Sequence, residues 1–290
     1  MDETKNTLQQ PLLPTSVTHA TTTETTTSSH DTITSSNYAL SVRLLMFISI
    51  GAMSVWASHE ASKGFMITVK NSMINTSLGQ KFNLFYVSND EAIRLVQNSS
   101  SFAAKILFPA DHSRILEKLI EVEVQFVSDH SLTNYINSFE QKGKYIIFID
   151  SYIMEFKDFK YRIKKEIMKK MGEILLINLR NKVPNTLLDG MVEYINDLAG
   201  FGDHLEENVI KLRNNNRVIK KCWEDNDSRL VAKFLGYADE EKCEGFVGRL
   251  NQEMGKNGWF EEIMDKLLGM EAIQLCSSFH DSMIKSQLAS

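Results

Sequence analysis

The chain has 290 residues, 43% hydrophobic and 24% charged, enough apolar side chains for one medium domain or two small ones. With 32 basic against 37 acidic residues its net charge is −5, which argues against a basic nucleic-acid-binding domain, so no nucleic-acid partner is expected. Three cysteines, Cys222, Cys243 and Cys276, exclude a disulfide-dense scaffold, and their odd number leaves at least one outside any intramolecular pair.

Of the 23 residues 15–37, fifteen are Ser or Thr. Such a segment cannot bury enough apolar area to offset its ordering entropy, so residues 1–43 read as a disordered tail. An apolar run follows Arg43, Leu44–Ala57, LLMFISIGAMSVWA. It is short for a spanning helix, which needs about 20 residues, and suits a signal-peptide core. Val55 and Ala57 would then stand at the −3 and −1 positions of a cleavage site. This reading expects a membrane-anchored or secretory-pathway protein, with membrane association through Leu44–Ala57. The alternative is a core or interfacial helix in a cytoplasmic chain. The sequons at Asn75, Asn98 and Asn226 are about as many as chance supplies and do not decide between the two.

Residues 58–80 read as a linker and residues 81–285 as the folded domain. KFNLFYVS (81–88) alternates Phe82, Leu84 and Tyr86 and predicts a strand. Residues 90–120 have helical composition, interrupted at Ser99–Ser101 and Pro109. VEVQFV (122–127) alternates and predicts a second strand, and YIIFID (145–150) predicts a buried third one.

From Asp158 the period becomes helical. Ile163, Ile167, Met171, Ile174 and Leu175 form one stripe, and Pro184 ends it. Leu187, Leu188, Met191, Val192 and Ile195 form the next, stopped by Gly200 and Gly202. Further stripes begin at Leu230, Phe246, Trp259 and Ile273. Strands come first and helices after, which predicts an α+β fold: a short mixed sheet followed by a mostly helical C-terminal half.

Four blocks in this order carry a resemblance. They are Leu188-Asp189-Gly190-Met191-Val192-Glu193-Tyr194, Val231-Ala232-Lys233-Phe234-Leu235, Gly245-Phe246-Val247 with Leu250-Asn251 and Met254, and Leu267-Leu268-Gly269 with Gln274-Leu275. They resemble L-I-E-G-x-A-D-Y, T-A-R-F-L, G-F-V-x-x-L-N-x-x-M and the final block of the plant basic secretory proteins. That family in turn resembles zinc-dependent peptidases of the zincin type. The resemblance therefore implies a zincin-like fold, zinc as the family's metal, peptidase ancestry and a defence-related setting.

The family's H-E-M-T-H would hold zinc through two histidines at i and i+4, with the glutamate activating the metal-bound water. Counting back from Gly190 without a gap, that motif falls on Lys169-Lys170-Met171-Gly172-Glu173. A rival register, Lys165-Glu166-Ile167-Met168-Lys169, needs a four-residue deletion. Both lack the two histidines. Asp189 stands at the family's third-ligand position, and Glu193 and Tyr194 would line the cleft. The Gly-Tyr-Asp that precedes T-A-R-F-L in the family is missing here.

The resemblance thus implies a degenerate member that is not an enzyme, holds no zinc and acts on a protein partner by binding or regulation. The alternative is an active zinc endopeptidase with a non-standard site. Lys169 is expected between Glu173 and Asp189 as an internal substitute for the metal. On the residues alone, the bland reading of Lys169 and Lys170 is a solvated helix face, and that of Glu193 and Tyr194 is ordinary helix surface and core. The cysteines read as small core hydrophobes, with a Cys222–Cys243 bridge open only to an extracytosolic body.

Overall fold

A computed structural model of the chain describes residues 35–61, 64–128, 137–138, 143–202 and 221–288. The chain divides into two units, Met1–Ala57 and Ser58–Ser290.

Helix α1 (Ser35–Ala61) carries the apolar run and runs through the boundary at residue 57. It begins inside the stretch read as a disordered tail, whose residues 1–34 lie outside the described residues. Leu44, Leu45, Met46 and Phe47 are exposed. No helix among the described residues is long and apolar enough to cross a membrane.

The second unit is built on a sheet. Strand β1 (Met66–Asn71) pairs in parallel with β2 (Glu121–Val127), and β2 pairs in parallel with β4 (Lys144–Asp150). A two-residue strand, β3 (Asn137–Ser138), closes the order β1-β2-β4-β3 by antiparallel pairing with β4. This is the mixed sheet of an α+β fold. Parallel neighbours need a crossover. Between β1 and β2 it consists of α2 (Ser77–Phe82), a π-helical turn (Asn83–Val87), α3 (Glu91–Leu107) and α4 (His112–Leu116).

Two expectations are corrected here. Residues 58–80 are not a linker, because β1 and the start of α2 lie within them. Residues 81–88 are not a strand. Phe82 and Tyr86 are buried, whereas Leu84 between them is 66% exposed. Burial at i and i+4 with exposure at i+2 is the helical pattern, and the alternation in type is coincidental. Phe82 stacks on Tyr86 at 5.2 Å and on Phe126 of β2 at 4.2 Å, which fixes the crossover to the sheet.

The helical half follows the predicted stripes. Helix α5 (Phe159–Leu176) buries Ile163, Ile167, Met171, Ile174 and Leu175. It ends in a 3-10 turn (Ile177–Leu179), and Asn181 then adopts the left-handed conformation, φ 68°, that Asn tolerates better than most residues. Pro184 precedes α6 (Asn185–Leu198), and its carbonyl accepts the amides of Leu187 and Leu188. Beyond a 3-10 turn at Cys222–Glu224 come α7 (Ser228–Glu241), α8 (Phe246–Asn257), α9 (Ile263–Leu268) and α10 (Ala272–Leu288).

Gly190 lets α6 and α7 meet. A Cβ there would stand 2.2 Å from Cγ1 of Val231, which is wholly buried. The cysteine expectation changes too: the bridge joins Cys222 to Cys276, closing α10 onto the 3-10 turn, and Cys243 remains free.

Candidate functional site

The motif positions lie on two packed helices. The last turns of α5 carry Lys169, Lys170 and Glu173, and α6 carries Asp189, Glu193 and Tyr194. Met171 and Gly172, the middle of the motif, face the core, and Gly172 approaches Val192 of α6. The motif turn is therefore anchored by burial, and the charged residues beside it take the remaining directions.

Lys170 is the innermost of them, only 3% exposed. Its ammonium lies 3.3 Å from Glu173 and 3.9 Å from Glu166, one turn away on either side along α5. The same Glu173 oxygen also faces the Arg180 guanidinium at 3.6 Å. Lys169 projects across to α6, where its ammonium stands 3.6 Å from Glu193. Three cations and three carboxylates thus occupy one side of α5, and their charges cancel.

The Lys169 expectation is corrected accordingly. Among the described residues Lys169 pairs with Glu193, not with Glu173 and Asp189. Glu173 is taken by Lys170, which is more deeply buried, and by Arg180. Asp189 is exposed and makes no ion pair among the described residues. Tyr194 is buried, and Asp239 of α7 raises its pKa. Asp239 accepts the Phe246 amide at the start of α8, which ties α7 to α8.

Burial and charge act against each other here. Desolvation pushes the Glu166 carboxyl above its ordinary value, and Lys170 and Lys169 only partly offset it. Burial alone would lower the Lys169 ammonium. Glu193, Glu166 and Glu173 outweigh that effect and hold it above the usual lysine value. Tyr194 is pushed far upward by burial, then by Asp239.

Comparison with known proteins decides the ancestry. A family described as "Peptidase of plants and bacteria", the basic secretory proteins, matches residues 62–279. The chain belongs to the basic secretory protein family. No curated protein and no solved structure matches it. The family match extends upstream of residue 81 to include β1, which the linker reading had left outside the domain.

At the motif positions of this basic secretory protein the donor set does not fit a zinc ion. Zinc is held by thiolates, imidazoles and carboxylates. Lys169 and Lys170 offer ammonium groups, which have no free lone pair while protonated. Glu173 keeps an oxygen donor but is engaged by two cations. A cavity of about 540 Å³, lined by Phe108, Lys118, Tyr145, Ile174, Leu175 and Lys182 among others, includes none of the motif positions. Sequence reasoning missed Glu166 and Arg180 as members of the cluster. Glu166 could have been found as the i−4 partner of Lys170; Arg180, beyond the 3-10 turn, carries no periodic signal.

Proposed function

We propose that this chain is a catalytically inactive basic secretory protein that works by binding a protein partner rather than by cleaving one. The observation that carries this reading is the buried Lys170 ammonium, 3.3 Å from Glu173; by the gapless count from Gly190 these two residues stand for the family's general base and second zinc ligand. A general base must accept a proton from water. A buried ammonium flanked by carboxylates has no vacant lone pair to do so. The same cation occupies the carboxylate that would otherwise be the best remaining donor. What survives is the packing of α5 on α6, hence the scaffold on which peptidase relatives build a cleft.

The test is to assay the full chain for zinc content and for chelator-sensitive cleavage of an unfolded protein. The expected result is less than a tenth of an equivalent of metal attributable to Glu173 and Asp189, and no cleavage. Chelator-sensitive cleavage that disappears in the Glu173→Ala, Asp189→Ala variant would overturn the proposal and favour an active peptidase with a non-standard site.

A further inference from the structure

Far along the chain from the family motif, Cys222, Cys276 and His280 bring one ligand atom each to within 4.8 Å of one another. Cys276 and His280 are i and i+4 on α10, so they share a helical face. Cys222 comes from the 3-10 turn that α10 packs against, with its sulfur 3.4 Å from Nε2 of His280. Both cysteines are buried, and His280 is half-buried at the edge of the group. Two sulfurs and one imidazole, supplied by two elements, form the donor set of an open Cys₂His site.

We propose that these three side chains form a redox-gated site for a thiophilic divalent cation of the zinc class. In the disulfide state the two sulfurs bond each other and cannot ligate. Two molecules of a low-molecular-weight thiol reduce the bridge, giving two cysteine thiols and one small disulfide, so electrons and protons balance. The cation then binds as both thiols lose their protons to solvent, with Nε2 of His280 as third ligand and water in the fourth position. Two Zn–S bonds of about 2.3 Å at a tetrahedral angle place the sulfurs roughly 3.8 Å apart. The Cα atoms are 5.7 Å apart, so rotation of the two side chains can open that gap without moving α10 as a body. The donor types select against calcium and magnesium, which take oxygen ligands. The site is independent of the α5–α6 cluster and of the reading proposed for it.

The full chain, reduced with glutathione and freed of small thiols, is titrated with Cd²⁺ and, separately, Co²⁺. One equivalent per chain is expected, with thiolate-to-cadmium charge-transfer absorption and tetrahedral cobalt bands, and the oxidised chain takes up none. Affinity falls at least tenfold in Cys276→Ser and in His280→Ala. The latter keeps both cysteines, so its oxidised form reports on folding. Cys243→Ser and the Glu173→Ala, Asp189→Ala variant leave uptake unchanged. Failure of the reduced chain to bind, uptake indifferent to His280→Ala, or uptake lost with Glu173 and Asp189 each overturns the proposal. So does a bridge that glutathione cannot open, which would mark a purely structural disulfide.

Discussion

The Lys169 ammonium on α5 stands 3.6 Å from the Glu193 carboxylate on α6, one turn beyond Asp189. In family terms the pair joins the first ligand position to the acidic residue of the D-Y block. Metal-bound imidazoles commonly donate their second N–H to a carboxylate. A lysine at the same position reaches such a carboxylate directly with its own charge. The pair holds α5 to α6 through charge, within a cluster whose charges cancel.

That cluster should be unequally important to stability. Lys170→Met removes a buried cation and leaves Glu166 and Glu173 with less compensation, a loss of about 3 kcal/mol. Lys169 is 40% exposed at its side chain, and Lys169→Met should cost no more than about 1 kcal/mol. Urea unfolding at neutral pH measures both. Adding Glu173→Leu to Lys170→Met should recover part of the loss, because one unpaired carboxylate goes with it. Equal losses for the two lysines would contradict the arrangement.

Gly190→Ala tests how closely α6 must approach α7. The new methyl would meet Cγ1 of Val231 at 2.2 Å and its Cβ at 2.5 Å, and Val231 is fully buried with nowhere to retreat. A loss of about 1–3 kcal/mol is expected, more than helix propensity alone would return. Thermal unfolding of the variant gives the answer, and a stabilised variant would mean that the two helices separate without cost.

Much of the helical half was legible because its burial follows a 3.6-residue period that type alone displays. Ile163, Ile167, Met171 and Ile174 are apolar, buried and correctly spaced, and Pro184 and Gly269 mark boundaries. Strand β1 escaped notice because it lies at the sheet edge and is only half-buried, so MITVKN shows too little contrast. Residues 81–88 misled because aromatic side chains four apart, with one leucine between, imitate alternation. Counting back from Gly190 assigns the motif to α5 but does not state the partner each lysine would choose. That choice depends on which side of α5 faces α6, and on Arg180, which joins from outside the helix. The Cys222–Cys276 bridge spans 54 residues and rests on where α10 docks, which no local pattern states.

The Tyr86 hydroxyl is buried without a hydrogen-bond partner among the described residues. Burial, and secondarily Glu91, pushes its pKa up to about 12. An unsatisfied hydroxyl is a cost that the ring's packing on Phe82 outweighs. Tyr86→Phe keeps the ring and removes the cost, so it should be neutral or stabilise by about 1 kcal/mol. A clear loss in chemical denaturation would point to a partner for the hydroxyl.

Glu166 supplies the pH test. Its carboxyl is raised above the ordinary glutamate value, chiefly by desolvation, despite Lys170 at 3.9 Å. A raised carboxyl binds its proton more tightly in the folded state than in the unfolded one. Its contribution to stability is therefore fully present below the ordinary value, about 4.3, and is lost as pH rises through the folded value. At neutral pH the charged form is a net burden on the fold. Glu166→Gln removes the ionisation and keeps the shape. The variant should gain stability at pH 7, by no more than about 1 kcal/mol because it also gives up attraction to Lys170 and Lys169. Relative to the parent, that gain should shrink as pH falls toward 4, where the parent's own carboxyl becomes protonated. Thermal unfolding of both chains across this range would show the two curves converging at the acid end. Should the glutamine variant instead be the less stable chain at pH 7 and draw level only in acid, the ion pairs of Glu166 would outweigh its desolvation. The cluster would then stabilise the fold through attraction, not merely tolerate buried charge.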